Sequence, residues 1–287
     1  MELLKTMGEG EDGFFWEYME IPQKNDDNAL EMYTLQCRNH ILKPLADKYG
    51  IDTSDQAIRA AVEQHNEVCR LIRAIGDFRK EANPRVTGYE FHILTMVSYV
   101  APKHLIVDKL RETLEEIKTR EPDAADKYRA RVVFVGSEVD DVDVIRLVEE
   151  SGAYVCADRF CYGSLPGRDE ILLNDDEDVV KQVCRQVQGR AQCPRYWDMA
   201  KMTGRRDYVA DLAKEYGADG IIYEQMKFCD PWAYERMIGT IVLRDEHGYP
   251  VLAVDRPYSI GSSGQMRTRV QAFVESIEIK KIQGGKK

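Results

Sequence analysis

The chain has 287 residues, with 40 Lys and Arg against 50 Asp and Glu, a formal net charge of −10, and 44% apolar residues. That length supports one large domain or two ordinary ones with real cores, and the acidic balance argues against broad nucleic-acid binding by phosphate neutralisation. No apolar run approaches the roughly 18 to 20 residues of a membrane-spanning helix, and the N-terminus lacks the basic-then-apolar pattern of a secretory signal, so a cytoplasmic protein is expected. The seven cysteines (Cys37, Cys69, Cys156, Cys161, Cys184, Cys193 and Cys229) are scattered and include no Cys-x-x-Cys pair. That pattern favours reduced thiols over a disulfide scaffold and carries no spacing signature of a zinc or ferredoxin-type site.

Residues 1–25 do not read as the start of a domain. Phe14 to Ile21, closed by Pro22, reads as an aromatic strand, and one strand needs a sheet to pair with. From Asp26 the period becomes helical: Leu30, Tyr33, Cys37 and Ile41 share a face, Pro44 kinks or ends the run and Gly50 stops it. Thr53-Ser54-Asp55-Gln56 fits a capping box before a stripe of Ile58, Val62, His65, Val68, Ile72 and Ile75. Two more helices are predicted over Tyr89–Val100 and, after Pro102, along Ile106, Leu110, Leu114 and Ile117. Residues 26–128 are thus expected to be a helical domain. Cys37, His65 and Cys69 lie on or beside its apolar stripes and read as core.

After Glu121-Pro122-Asp123 the pattern alternates. Strands are predicted at Arg131–Val135, Tyr154–Asp158, Gly220–Glu224 and Val251–Asp255, with helices between and after them, ended by Gly152 and Gly217. Residues 129–280 therefore predict an α/β domain with a Rossmann/flavodoxin-like, mainly parallel four-stranded sheet covered by helices. Residues 281–287 read as a frayed tail. Right-handed crossovers would bring the strand-to-helix loops to one edge of the sheet, where such folds place their ligands.

Three of those loops carry the candidate chemistry. Cys229 sits where the third strand hands over to a helix, with Asp230-Pro231 read as N-cap and first helical position. A helix N-terminus favours thiolate over thiol, and the competing reading is a small buried apolar residue. The loop Asp158–Arg168 mixes a thiol, arginines, glycines and a hydroxyl, which suits a ligand-facing role, or equally a surface loop whose arginines pair with local acids. Ser259–Gln265 precedes a helix with Arg267 and Arg269, a combination able to hold a phosphate or carboxylate, although it matches neither a dinucleotide fingerprint nor a P-loop.

The combination Phe14-Phe15-Trp16-Glu17-Tyr18 and Ile21-Pro22-Gln23-Lys24, then Asp158-Arg159-Phe160-Cys161-Tyr162-Gly163-Ser164, then Phe228-Cys229-Asp230-Pro231, then Gly264-Gln265-Met266-Arg267-Thr268-Arg269 resembles the benzoyl-CoA reductase / 2-hydroxyacyl-CoA dehydratase family. The resemblance implies an iron–sulfur subunit that works beside a homologous second subunit and receives single electrons from an ATP-dependent activator iron–sulfur protein. Its substrate would be a 2-hydroxyacyl-CoA that is dehydrated through a radical, or an aromatic CoA thioester that is reduced, the double-cubane-cluster reductases being a further branch. It also implies a [4Fe-4S] cluster held by three protein sulfurs, with Cys229 matching one of them. Arg159, Ser164, Gln265, Arg267 and Arg269 are then the substrate-binding candidates. Family members usually begin with another α/β domain that supplies the remaining two cysteines, and Phe14–Ile21 is expected to be a remnant of its last strand. The other ligands would come from such a domain in the same or a separate polypeptide, or locally from Cys156 and Cys161. A non-catalytic binding subunit, docking through an apolar patch at Phe14, Phe15 and Trp16, is the alternative of a different class.

Overall fold

The computed structural model describes residues 17–122, 127–166, 168–190, 192–196, 199–258 and 263–284. Phe14, Phe15 and Trp16 lie outside them, and residues 17–22 carry no strand pairing. The described chain groups into two compact units, residues 17–63 with Ile171–Gly189, and Gln64–Glu170 with Arg190 onward.

In the first unit, helix α1 (Asp27–Cys37) starts where the Asp26 carboxylate accepts from the Ala29 amide at 2.8 Å. Pro44 cannot donate to the ladder and its ring crowds the carbonyl four residues back. The chain accommodates it with a π turn at Arg38–Leu42, closed by the Lys43 amide on the Arg38 carbonyl, before α2 (Lys43–Tyr49). Gly50 then ends α2 at φ +65°, a left-handed conformation that glycine adopts freely. Leu30, Tyr33, Val179, Val180 and Cys184 form the core, with Met19, Ile21, Leu42, Ile58 and Leu173 packed around it. Val179, Val180 and Cys184 belong to α7 (Val179–Arg190).

Helix α3 (Asp55–Asp77) contributes residues to both units. In the second unit its stripe packs with α4 (Gly88–Val100) and α5 (Lys103–Thr119) through Val68, Ile72, Ile75, Phe91, Ile106, Leu110 and Ile117. Helix α4 opens on a capping box of Thr87 and Glu90. Its first amides also receive a carboxylate from elsewhere: Glu149 accepts from the amides of Gly88 (2.8 Å), Tyr89 (3.1 Å) and Val155 (3.3 Å).

The sheet is parallel, in the order β2 (Ala153–Arg159), β1 (Ala130–Gly136), β3 (Gly220–Met226), β4 (Val251–Arg256). These strands are apolar on both faces because both are covered. One face packs on α6 (Val142–Glu150) and α10 (Ser263–Gly284), through Val144, Ile145, Val148, Val270, Phe273 and Ile277. The other packs on α8 (Met199–Glu215) and α9 (Asp230–Asp245), through Val209, Ala210, Ala213, Trp232 and Leu243. Helix α8, the helix that Gly217 ends, begins at Met199, in a stretch that shows no apolar period of its own. Helix α10 runs to Gly284, beyond the boundary expected at residue 280. Among the described residues, no helix is long and apolar enough to cross a membrane.

The strand order changes direction between β1 and β3, and there the backbones crowd. A Cβ on Gly136 would lie 2.4 Å from the Glu224 carbonyl oxygen and 2.6 Å from its Oε2. We expect Gly136→Ala to cost about 3 kcal/mol in urea unfolding, because backbone must move to accept it. Gly204→Ala in α8, where nothing lies within 4 Å of the new methyl, should instead stabilise by roughly 0.5–1 kcal/mol. A second prediction concerns pH. Burial pushes the Glu149 carboxyl up to about 7 from its ordinary 4.5, against the three amides that favour its charge. Between those values the folded chain binds a proton that the unfolded chain releases, so the Glu149 contribution to stability rises as pH falls through that window. Glu149→Gln should therefore give a flatter dependence of the urea midpoint on pH between about 7.5 and 5.

Candidate functional site

The carboxyl ends of β1, β2 and β3 converge on one small residue. Ser137, fully buried, follows β1 and is tied in three directions. Its hydroxyl donates to Glu224 Oε2 at 2.9 Å and accepts from the Met226 amide at 2.5 Å, and its carbonyl accepts from the Cys161 amide at 3.1 Å. Its own amide also donates to Glu224 Oε2, at 3.1 Å.

Glu224 is completely buried, and its Oε1 lies 2.9 Å from Arg256 Nε at the end of β4. The Arg256 guanidinium also donates to the carbonyls of Glu138, Pro257 and Tyr258. Burial pushes the Glu224 carboxyl up to about 7, with Arg256 and the Ser137 donors pulling the other way.

The turn after β3 carries the FCDP motif. The Cys229 amide donates to the Met226 carbonyl at 3.1 Å, which closes a four-residue turn with Phe228 at φ +72°. That left-handed position normally selects Gly or Asn, and Phe228 is 98% exposed. Cys229 itself, not Asp230, is the N-cap of α9, and its carbonyl accepts from Ala233 at 3.0 Å. The expected cap position is one residue late, because the reversal at Phe228 turns the chain into the helix earlier than Asp230-Pro231 suggests.

The expected thiolate preference at Cys229 is also reversed. Burial pushes its thiol up, outweighing the pull of the Trp232 amide, while the Cys193 thiol and the carboxylates of Glu224 and Asp230 push it further. Cys161 is raised to about 12 by burial, with the thiols of Cys193 and Cys229 adding to it. Cys161, Cys193 and Cys229 all pack against the α8–α9 side of the sheet. Sequence reasoning does not single out Cys193, since the stretch around it has no periodicity to place it.

Cys156 lies elsewhere. It is the extra residue where the β1–β2 register shifts between Val132 and Val133, and its thiol donates to the Val132 carbonyl at 3.3 Å. Burial raises it to about 11. The bulge places this sulfur within the β1–β2 pairing, bonded to the sheet backbone. Among the described residues, no group of three or more His, Cys, Asp and Glu side chains is placed to hold a metal ion. The described donors therefore do not fit a three-sulfur cluster site by themselves.

The Asp158–Arg168 loop is held together internally. Asp158 is buried and accepts from both terminal nitrogens of Arg79 at 3.1 Å and from the Ser164 amide at 2.7 Å, with Arg168 at 3.5 Å. Burial alone would raise its carboxyl, and Arg168 and Arg79 hold it below the usual range. Arg159 is 4% exposed, bonds the Ser164 carbonyl and Gln192 Oε1, and stacks 4.2 Å from the Tyr208 ring. The Ser164 hydroxyl donates to the Asp158 carbonyl. On α10, Arg267 bonds Glu150 at 2.9 Å and Arg269 bonds the Ala253 carbonyl at 2.6 Å, while Gln265 is exposed. Residues 259–262, the glycine-rich stretch expected to hold an anion with them, lie outside the described residues.

The model of the 2-hydroxyglutaryl-CoA dehydratase D-component family matches residues 3–277. The chain is 25% identical over 259 residues to the (R)-phenyllactyl-CoA dehydratase beta subunit of Clostridium sporogenes, covering 90% of this chain and 67% of that protein. It is 23% identical over 273 residues to a benzoyl-CoA reductase subunit of Thauera aromatica, covering 93% and 68%. It is 24% identical over 265 residues to the (R)-2-hydroxyglutaryl-CoA dehydratase beta subunit of Acidaminococcus fermentans, covering 91% and 68%. The chain thus spans about two-thirds of the length of these relatives. A parallel sheet with a cysteine capping the helix after its third strand, matched by the family model along nearly all of its sequence, makes this chain a member of the 2-hydroxyglutaryl-CoA dehydratase D-component family.

Proposed function

We propose that this chain acts as a cytoplasmic subunit of an iron–sulfur 2-hydroxyacyl-CoA dehydratase, in anaerobic metabolism, working with a homologous second subunit and an ATP-dependent activator. The observation that carries the reading is Cys229: a sulfur at a helix N-cap, outside the carboxyl end of a central parallel strand, beside the point where strand order reverses. A [4Fe-4S] cluster, when bound, supplies the one-electron chemistry. This chain's part is to present the Cys229 sulfur on a turn fixed by Ser137 and Glu224, with the remaining sulfurs contributed from outside the described residues. Cys161, packed on the same side of the sheet, is the local alternative. Because one relative is a benzoyl-CoA reductase subunit, aromatic ring reduction is the second chemistry to test with the same complex. Arg159 and Ser164 act in this reading by shaping the loop beside the thiols, and Gln265, Arg267 and Arg269 by facing the CoA thioester.

A partner surface is supported by α9. Its buried side is Trp232, Glu235, Gly239 and Leu243, whereas Tyr234, Met237, Ile238 and Ile241 recur at i, i+3, i+4 and i+7 and stay exposed. An apolar stripe left in solvent on a surface helix marks an interaction site.

Anaerobic co-production with the second subunit should yield iron and acid-labile sulfide that Cys229→Ser lowers at least tenfold, while Cys161→Ser keeps most of it. Iron-free complex, or full iron in the Cys229→Ser variant, would overturn the assignment. Ile241→Glu should reduce recovery of the second subunit at least tenfold in co-purification, with a change in this chain's own stability within about 0.5 kcal/mol, as expected of an exposed position.

A further inference from the structure

Far from the proposed cluster sulfur in sequence, two other thiols meet. Cys37 ends α1 immediately before the π turn, and Cys184 lies in the middle of α7. Their sulfurs are 3.5 Å apart, with Cys184 donating to Cys37. The two positions are 147 residues apart along the chain, yet both belong to the first compact unit and to its core.

The pair is asymmetric. Cys184 is 2% exposed, whereas Cys37 is only partly buried and can meet a small solute. The hydrogen bond from Cys184 lowers the Cys37 thiol from its ordinary value, against burial, and raises its own donor. A partly exposed sulfur backed by a buried thiol in contact with it is the arrangement of an attacking and a resolving cysteine. The other thiols differ: Cys69 is paired with His65 Nε2 at 3.4 Å, and Cys156 is committed to the Val132 carbonyl.

We propose that Cys37 and Cys184 form an oxidant-responsive dithiol, in which Cys37 reduces a hydroperoxide and Cys184 closes a disulfide. In the first step the Cys37 sulfur attacks the terminal oxygen of the hydroperoxide. The O–O bond breaks, the alcohol or water leaves with the proton that Cys37 releases, and Cys37 becomes a sulfenic acid. In the second step the Cys184 sulfur attacks the Cys37 sulfur, the S–O bond breaks, and water leaves with the Cys184 proton. The two thiols together lose two electrons and two protons, and the hydroperoxide takes them up. Closing the bond brings the two sulfurs from 3.5 Å to bonding distance. The bond would join the two separated stretches of chain that make up the first unit, so it should raise the thermal midpoint, by roughly 5 °C for a loop this long.

The test treats the full chain with a small excess of hydrogen peroxide, alkylates the remaining thiols in denaturant, and maps peptides without reduction. The expected product is a Cys37–Cys184 linked peptide, formed at least tenfold faster than in chain unfolded in urea and reversed by dithiothreitol. In Cys184→Ala, which removes the resolving thiol, a sulfenic acid should accumulate at Cys37 and be trapped by dimedone. All seven thiols recovered alkylated would overturn the proposal. So would a linkage confined to Cys161, Cys193 or Cys229, oxidation of Met19 with both thiols free, or a Cys37–Cys184 link formed equally fast in the unfolded chain. The wild-type mapping decides the matter even if the variant fails to fold.

Discussion

The site hangs on the Ser137 hydroxyl. It is one small buried group that gives its proton to Glu224 and accepts the Met226 amide, while the same residue's carbonyl receives the Cys161 amide. The turns that bear Cys161 and Cys229 are thereby referred to one point between β1 and β3. Ser137 is fully buried directly after Gly136, where β1 lets Glu224 approach. A residue without a hydroxyl would leave a buried carboxylate short of a donor, which is costly in a low-dielectric interior. The close approach at Gly136 and the polar hub at Ser137 are two halves of one arrangement: the strands must touch for the hydrogen bonds to form.

That rigidity gives a physical reason for the backbone at Phe228. A bulky residue in the left-handed region costs on the order of 1 kcal/mol or more and persists only where its surroundings over-determine it. Here they do, since Met226 is pinned by Ser137 and the Lys227 amide is bonded to the Arg256 carbonyl at 2.8 Å. Between those anchors and the start of α9, only a tight turn fits. The turn leaves Phe228 in solvent and draws Cys229 into the capping position, partly buried against Trp232. The burial that fixes the sulfur also explains why its thiol is raised despite the helix N-terminus. The N-terminal amides stabilise a negative charge only where the remaining environment does not withdraw more solvation than they return.

Much of the architecture is legible in the residues. The four parallel strands are short continuous apolar runs bounded by Gly and polar residues, and α3, α5 and α6 show clean apolar stripes, so periodicity finds them. The start of helix α8 is not legible because its first two turns show no apolar period, and the cap of α9 reads one residue late because a left-handed Phe has no sequence signature. Cys229 stands out because its signal is local, a thiol between a strand and a helix. Ser137, Glu224, Arg256 and Cys193 do not, because their roles come from contacts across chain separations that no local pattern encodes. A carboxylate near the end of a buried strand is the available hint for Glu224. The Cys37–Cys184 contact is hidden for the same reason: each cysteine sits correctly on its own apolar stripe, and only the packing of α1 against α7 makes them a pair.

The arginine-rich loop shows why residue type alone misleads about roles. Asp158–Arg168 has the composition of an anion-binding loop, yet its buried Asp158 takes Arg79 and draws in Arg168, and Arg159 is committed to Ser164, Gln192 and Tyr208. A buried carboxylate requires such partners, because an unpaired charge in the interior costs several kcal/mol. Once Asp158 lies at the end of β2, the guanidinium groups near it are spent on neutralising it and cannot also be free to receive a substrate anion. Among the described residues, the turns at this edge that carry Cys161 and Cys229 are instead held by hydrogen bonds to Ser137 and to the end of β3. Arg79 and Arg168 serve to hold Asp158, and with it the end of β2, in place.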